Sequence, residues 1–160
     1  MDFADLIKIE DLPNSGVEDT EGLAEWGREA EDFLMWHQWC GAVRQGYLDY
    51  GLYGILALFY FEIEPDSPNA DDNLWVIVGD VPPAYLDLES CPTATAAIEG
   101  YVYELQRWVD AVNAGESVDE LMPVYERVSL KPIAPTPEFA RMLEGRLDFI
   151  RSEIIPHMPE

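Results

Sequence analysis

The stretch YGLYGILALFYFEIE, residues 50–64, decides the fold of this chain. Its aromatic and aliphatic side chains follow one another almost without polar interruption, and Pro65 ends the run. Aromatic residues packed this densely after Gly51 and Gly54 favour a β-strand over a helix. A continuous apolar run also indicates a strand that is buried on both faces, because a half-exposed strand would alternate with polar residues.

Two more strands are predicted after this one. A polar loop precedes LWVIV at residues 74–78, and the turn GDVPP then leads into AYLDLE at residues 84–89. Connections this short imply an antiparallel meander. Pro82 and Pro83 have no amide donor for a central ladder, so the third strand is expected at an edge of the sheet.

Three helices are predicted to accompany the sheet. The first spans about residues 19–48, because its apolar residues recur at intervals of three and four. The second begins at Pro92, which suits the first helical position, with Cys91 or Ser90 as its cap. The third spans residues 136–156 and ends at a proline.

The predicted element order, α-β-β-β-α-α, defines an α+β fold with a small antiparallel sheet under helices. A chain of 160 residues, 48% of them apolar, is long enough for one compact core. We expect that domain over residues 18–156. Residues 1–17 read as an arm with at most a short helical start, and residues 157–160 as a C-terminal tail.

Charge is the strongest feature of the composition. Acidic residues number 32 against 9 basic ones, which gives a net charge of -23, and the whole stretch between Arg44 and Arg107 lacks Lys and Arg. Binding to phosphates requires basic side chains, so nucleic acid and anionic membranes are poor partners. The asymmetry favours an acidic binding face, although a generally acidic proteome or simple solubility would produce the same composition.

The sequence also carries no sign of membrane insertion or secretion. No apolar run reaches the roughly 20 residues of a membrane helix, and the N-terminus is acidic where a secretory signal is basic. Two cysteines are far from the dense disulfide framework of a small secreted domain. A soluble, cytoplasmic protein with free thiols is therefore expected.

The stretch DFLMWHQWCG, residues 32–41, raises the question of a metal site. His37 and Cys40 fall on the buried stripe of the predicted first helix at a spacing that suits two metal ligands. A closed zinc site needs four ligands, however, and the only other candidates, Cys91 and His157, lie on distant segments. We expect core roles for His37 and Cys40, and no metal or other cofactor.

Cys91 is the other candidate for chemistry. A thiol at a helix N-terminus has its pKa lowered by the helix dipole, which would suit a nucleophile or a redox sensor. Asp87 and Glu89 oppose that effect, and no basic residue is near in sequence. Motifs such as G-x-S-x-G, a glycine-rich phosphate loop and H-E-x-x-H are missing, so an enzyme is less favoured than a binding protein.

The predicted binding site combines an acidic loop with two tryptophans. The loop lies between Phe61 and Trp75, residue types that anchor protein interfaces, and loops often carry function. A merely solvated hairpin loop is the alternative interpretation. The residues predicted to contact a partner are Glu62, Glu64, Asp66, Asp71, Asp72, Trp36 and Trp39.

A resemblance covers roughly residues 74–156. The segment WVIVGDVPPAYLDLESCPTATAAIEGYVYELQRWVDAV, then a proline-containing linker and TPEFARMLEGRLDFIRSEIIP, resembles a set of small, uncharacterised acidic bacterial proteins. These share a tryptophan, a Gly-Asp-x-Pro-Pro-Ala-Tyr-Leu run and the two helices after it. The resemblance implies a bacterial, cytoplasmic setting, and it implies no activity and no functional residue.

These observations lead to three functional hypotheses. The favoured one is a non-enzymatic acidic module that inhibits or neutralises a basic protein, as immunity proteins do against nuclease-like toxins. The second is a thiol- or metal-dependent enzyme or sensor that uses Cys91, or His37 with Cys40. The third is a nucleic-acid mimic that blocks a DNA-binding protein.

Overall fold

A computed structural model describes residues 6–68 and 71–158 of the chain. It contains one antiparallel sheet whose five strands lie side by side in chain order. The strands are Ile7–Lys8 (β1), Cys40–Leu52 (β2), Leu56–Pro65 (β3), Asn73–Gly79 (β4) and Ala84–Asp87 (β5). The predicted α+β class and the antiparallel meander are confirmed, and β5 lies at an edge as expected.

The main helices are Thr20–Trp36 (α1), Ala94–Asn113 (α2) and Pro137–Phe149 (α3). A 3-10 segment, Ile9–Asn14, precedes α1, while a π-helical turn, Ile150–Ile154, and a 3-10 turn, Ile155–His157, extend α3. Across residues 6–68 and 71–158, none of the helices is both long and apolar enough to span a bilayer.

Strand β3 is buried on both faces, as expected from its apolar run, but the predicted strand over residues 50–64 was too long. Residues 50–52 end β2, residues 53–55 form a turn, and β3 begins at Leu56. Leu58 and Tyr60 pack against α2 and α3, whereas Phe59 and Phe61 point into the layer that contains α1. Strand β4 repeats this arrangement. The sheet therefore lies between two helical layers, each with its own hydrophobic core.

The predicted first helix was too long. Helix α1 ends at Trp36, the backbone of His37 is extended, and Cys40 begins the long strand β2. Glycines and β-formers fill this segment, but three register irregularities in the pairing with β3 break the two-residue alternation that would have marked a strand. With β2 from this segment and β1 from the predicted arm, the sheet has five strands where three were expected, and the predicted order α-β-β-β-α-α is wrong in detail.

Part of the predicted arm packs on the domain. Ile7 and Lys8 pair with Leu48 and Tyr47 of β2, and Leu12 is fully buried beside α1. Residues 1–5 of that arm and residues 159–160 of the predicted tail lie outside the part of the chain that the structure describes.

Helix caps only partly match the predictions. Thr93 caps α2, because its hydroxyl accepts a hydrogen bond from the backbone N–H of Ala96 at 3.1 Å, so the assignment of Cys91 or Ser90 as the cap was wrong. Thr136 caps α3 in the same way and Pro137 follows it, as predicted.

The segment between α2 and α3 wraps around the β5 edge. Val124 is buried in the layer of α2 and α3, and Leu130 is buried in the layer of α1. Arg127 fastens the segment to α1, since its guanidinium donates to both carboxylate oxygens of Glu29, at 2.8 and 3.1 Å, and lies 5.5 Å from the ring centre of Trp26.

Gly79, the last residue of β4, lies very close to the backbone at the start of β3, and this close packing can be tested by mutation. Its φ is +133°, and an added Cβ would lie 2.7 Å from both the Ile55 carbonyl oxygen and the Leu56 Cα. We expect Gly79→Ala to lower the free energy of unfolding in urea by about 2–4 kcal/mol.

Gly145 in α3 is the matched control, because an added Cβ there meets no atom within 4 Å. Gly145→Ala should raise the free energy of unfolding by about 0.5–1 kcal/mol through helix propensity. A Gly79→Ala protein as stable as the wild type would contradict the described packing at this turn.

Candidate functional site

Six aromatic side chains meet on the surface where α1 gives way to β2, and we call them the aromatic cluster. The imidazole of His37 is its hub, with ring-centre distances of 4.8–5.1 Å to four neighbours. Helix α1 ends here with an extended backbone at His37, and Phe33, His37 and Trp39 all contact Tyr85 of β5. The members are Phe33, Trp36, His37, Trp39, Tyr85 and Tyr125.

The cluster has a buried base and an exposed outer side. Phe33 is only 2% exposed and belongs to the core around α1, whereas Trp36 is 51% exposed and Tyr85 39% exposed. The edge-on and tilted ring contacts are the arrangements that aromatic side chains prefer, so the outer rings are held in defined positions. An exposed aromatic surface of this kind is typical of an interaction site.

His37 is held as a partly buried imidazole. Its Nδ1 lies 2.8 Å from the carbonyl oxygen of Phe33, which therefore accepts a hydrogen bond from an Nδ1–H. Burial lowers the pKa of His37, and hydrogen bonds to the backbone of Phe33 and Leu34 partly oppose that effect. The neutral form is therefore favoured at the centre of the cluster.

Cys40 does not share a helix face with His37, contrary to the prediction. It is the first residue of β2 and is buried, with its Sγ 3.9 Å from Met35 Sδ and 3.8 Å from the Ala42 carbonyl oxygen. Burial raises the pKa of Cys40, and the carboxylates of Asp66 and Glu31 raise it further. Within the described ranges no three His, Cys, Asp or Glu side chains form a group that could hold a metal ion.

An acidic groove of about 700 Å³ lies beside the aromatic cluster, and Tyr85 borders both. Its apolar lining comes from the sheet edge, from α2 and from the segment that follows α2. The exposed ring of Tyr103 stands at its margin. Four carboxylates define this acidic groove: Asp71, Asp87, Glu104 and Glu120.

Most of the groove carboxylates lack a countercharge. Glu104 lies 3.5 Å from Arg107, and Asp87 accepts a hydrogen bond from the backbone N–H of Ser90 at 2.8 Å. Among residues 6–68 and 71–158, no basic side chain forms an ion pair with Asp71, Asp87 or Glu120. The groove is thus a region of negative potential with an apolar lining.

The predicted acidic residues do not all have the same surroundings. Glu62 accepts a hydrogen bond from the Tyr47 hydroxyl at 2.9 Å, and Glu64 forms an exposed ion pair with Arg44 at 3.3 Å. The Asp72 carbonyl oxygen accepts a bond from the N–H of Ile63. Arg44 therefore offsets part of the charge at this end of the sheet.

The acidic loop nevertheless adjoins the aromatic cluster at Trp39 and at Tyr85. The backbone N–H of Asp66 donates to the Trp39 carbonyl oxygen at 2.9 Å, and Asp71 lines the acidic groove together with Tyr85. Trp39 and Tyr85 are themselves in ring contact at 4.9 Å. Residues 69–70 of the loop lie outside the described ranges.

Cys91 also borders the acidic groove, but its surroundings disfavour a thiolate. It is 6% exposed, and its carbonyl oxygen accepts a hydrogen bond from Trp75 Nε1 at 2.7 Å. Burial raises the pKa of the Cys91 thiol, and the nearby carboxylate of Asp87 adds to the effect.

Sequence reasoning missed half of this surface. Tyr85 could have been found, because it alternates with the buried Leu86 along β5 and so faces outward. Tyr125 gave no local signal, since it lies in an irregular segment far from α1 in sequence. The missed residues are Tyr85, Tyr125, Asp87, Tyr103, Glu104 and Glu120.

Comparison of the chain with protein-family models, with curated proteins and with solved structures finds no match.

The lowered pKa of His37 gives a pH-dependent stability prediction. Above pH 6.5, the ordinary pKa of histidine, the imidazole is neutral in both the folded and the unfolded chain. As the pH falls below that value, the unfolded chain takes up the proton first. Wild-type stability should therefore fall more between pH 7.5 and 5.5 than that of His37→Gln, measured as Tm. His157→Gln, at the second histidine, serves as the control and should behave like the wild type.

Equal pH dependence of Tm in the wild type and His37→Gln would contradict the described burial of this imidazole. Titration of the many carboxylates is common to all three proteins, so the comparison isolates the histidine.

Proposed function

We propose that this chain is a non-enzymatic acidic module that binds a basic protein and neutralises it, as an immunity protein neutralises a toxin. One observation carries the proposal: the acidic groove and the exposed aromatic cluster meet at Tyr85. Unpaired carboxylates beside fixed aromatic rings combine the two features that recognise a basic protein surface, charge complementarity and aromatic anchors.

The two features contribute to different stages of binding. A net charge of -23 accelerates the encounter with a basic partner and orients it before contact. Trp36 and Tyr85 then supply apolar area that is lost from water in the complex. The groove, with its apolar lining, admits side chains that a flat acidic surface would not hold.

A binding role also fits the state of the two thiols. Cys40 and Cys91 are both buried and both have raised pKa values, mainly because of burial. A nucleophilic or redox cysteine needs an accessible thiolate, which these surroundings disfavour.

Two groups of residues would contact the partner. The first group was inferred from the sequence, and the second borders the groove. A cytoplasmic site of action and kinship with small acidic bacterial proteins belong to the same proposal. The proposed contact residues are Glu62, Glu64, Asp66, Asp71, Asp72, Trp36 and Trp39, with Tyr85, Asp87, Glu104 and Glu120.

A variant that removes three negative charges from the groove tests the proposal. The basic partner would first be isolated from an extract of the source organism on the immobilised wild-type chain. The triple variant Asp71→Asn, Asp87→Asn, Glu120→Gln should then associate with it about tenfold more slowly at low ionic strength, in stopped-flow measurements. The deficit should shrink in high salt, because salt screens exposed charges.

A second triple variant, Glu116→Gln, Glu138→Gln, Glu153→Gln, makes the same change in net charge at exposed positions outside the groove. It should associate within about twofold of the wild type. Equal slowing by both variants would show that only total charge matters, and an unchanged rate in the groove variant would place the interface elsewhere.

A further inference from the structure

The outer rings of the aromatic cluster are exposed but fixed. Trp36 makes ring contacts with His37 and Tyr125, at 5.1 and 5.4 Å. Tyr85 contacts three members of the cluster, at 4.9 Å from Trp39, 5.1 Å from His37 and 6.3 Å from Phe33. Rings that are immobilised before binding lose little entropy when a ligand stacks on them.

This chain already pairs other aromatic rings with arginine. The guanidinium of Arg127 lies 5.5 Å from the Trp26 ring centre, and that of Arg107 lies 5.9 Å from the Tyr103 ring centre. Among the described residues, no Lys or Arg is placed over a ring of the aromatic cluster. The most exposed ring, that of Trp36, therefore has no intramolecular cation of this kind.

Negative charge adjoins Tyr85. Tyr85 and Asp87 are two positions apart on β5, so their side chains leave the strand on the same side, within about 7 Å of one another. Both residues border the acidic groove, as does Asp71. A cation stacked on Tyr85 would thus lie within reach of a carboxylate.

We infer that the aromatic cluster receives an arginine side chain of the basic partner, stacked on Trp36 and Tyr85 with its N–H groups directed to Asp87. This inference rests on the proposed function and specifies how the partner is recognised. Arginine suits the site better than lysine, because a planar guanidinium is weakly hydrated, stacks on aromatic rings and can donate to a carboxylate at the same time.

The test uses a defined probe, acetyl-Gly-Arg-Gly-amide, and the same peptide with citrulline, which keeps the shape and removes the charge. The five tryptophan indole N–H groups report separately in ¹H–¹⁵N NMR spectra. The arginine peptide should shift the Trp36 and Trp39 signals in a saturable manner, while the buried Trp75 and Trp108 stay unchanged. The citrulline peptide should bind at least about threefold more weakly.

Two variants test whether the arginine peptide binds at Trp36 and Tyr85. Trp36→Leu and Tyr85→Leu should each reduce the affinity for the arginine peptide at least about threefold, as read from the Trp39 signal. Tyr103→Leu removes a more exposed ring that borders the same groove, and it should bind the peptide like the wild type. Unchanged Trp75 and Trp108 signals show that each variant is folded.

Several results would overturn the inference. The Trp36 and Trp39 signals could shift equally with the citrulline peptide, or equally with a peptide that has lysine in place of arginine. Tyr103→Leu could abolish the shifts, or Trp36→Leu and Tyr85→Leu could both keep full affinity for the arginine peptide. The inference and the proposed function fail on different results. If the groove variant associates slowly with the basic partner while Trp36→Leu associates normally, binding at the groove stands and the arginine site falls. If the groove variant associates at the wild-type rate, the proposed binding at the groove falls, whatever the arginine peptide does.

Discussion

The burial of β3 and β4 on both faces is the constraint on which the rest of this structure depends. Six consecutive residues of β3, 56–61, are buried, so the strand is stable only with a hydrophobic layer on each side. Helix α1 supplies one layer from before the meander, and α2 with α3 supply the other from after it. Both faces of the sheet are thereby closed at β3 and β4, whereas β2 is only partly buried.

The β5 edge became the candidate site because two segments distant in sequence converge there. Phe33 near the end of α1 and His37 just after it contact Tyr85, and the segment after α2 crosses the same edge and adds Tyr125. The ion pair between Arg127 and Glu29 fastens that crossing segment to α1. Covering an edge strand also prevents it from pairing with another chain, so the same contacts protect the sheet and assemble the surface.

Local apolar runs, prolines and the Thr136 cap were enough to predict β4, β5, the two C-terminal helices and most of β3, because these signals act over a few residues. The Thr93 cap of α2 was missed. The boundary between α1 and β2 was missed, since bulges in β2 hid its alternation and the apolar spacing of α1 continued into it. Trp36 and Trp39, selected from the sequence, lie in the aromatic cluster, and Asp71 lines the acidic groove; their role in binding stays a prediction. Tyr125 joins them only through a long-range contact that no local pattern encodes.

Two neighbouring substitutions in β3 test the central claim, that both faces of the sheet are closed. Leu58 and Phe59 are both fully buried, one in the layer of α2 and α3 and the other in the layer of α1. In urea unfolding, Leu58→Ala and Phe59→Ala should each lower the free energy of unfolding by about 2–5 kcal/mol. A loss below about 1 kcal/mol at either position would mean that this face is open to solvent, and would contradict the two-layer arrangement.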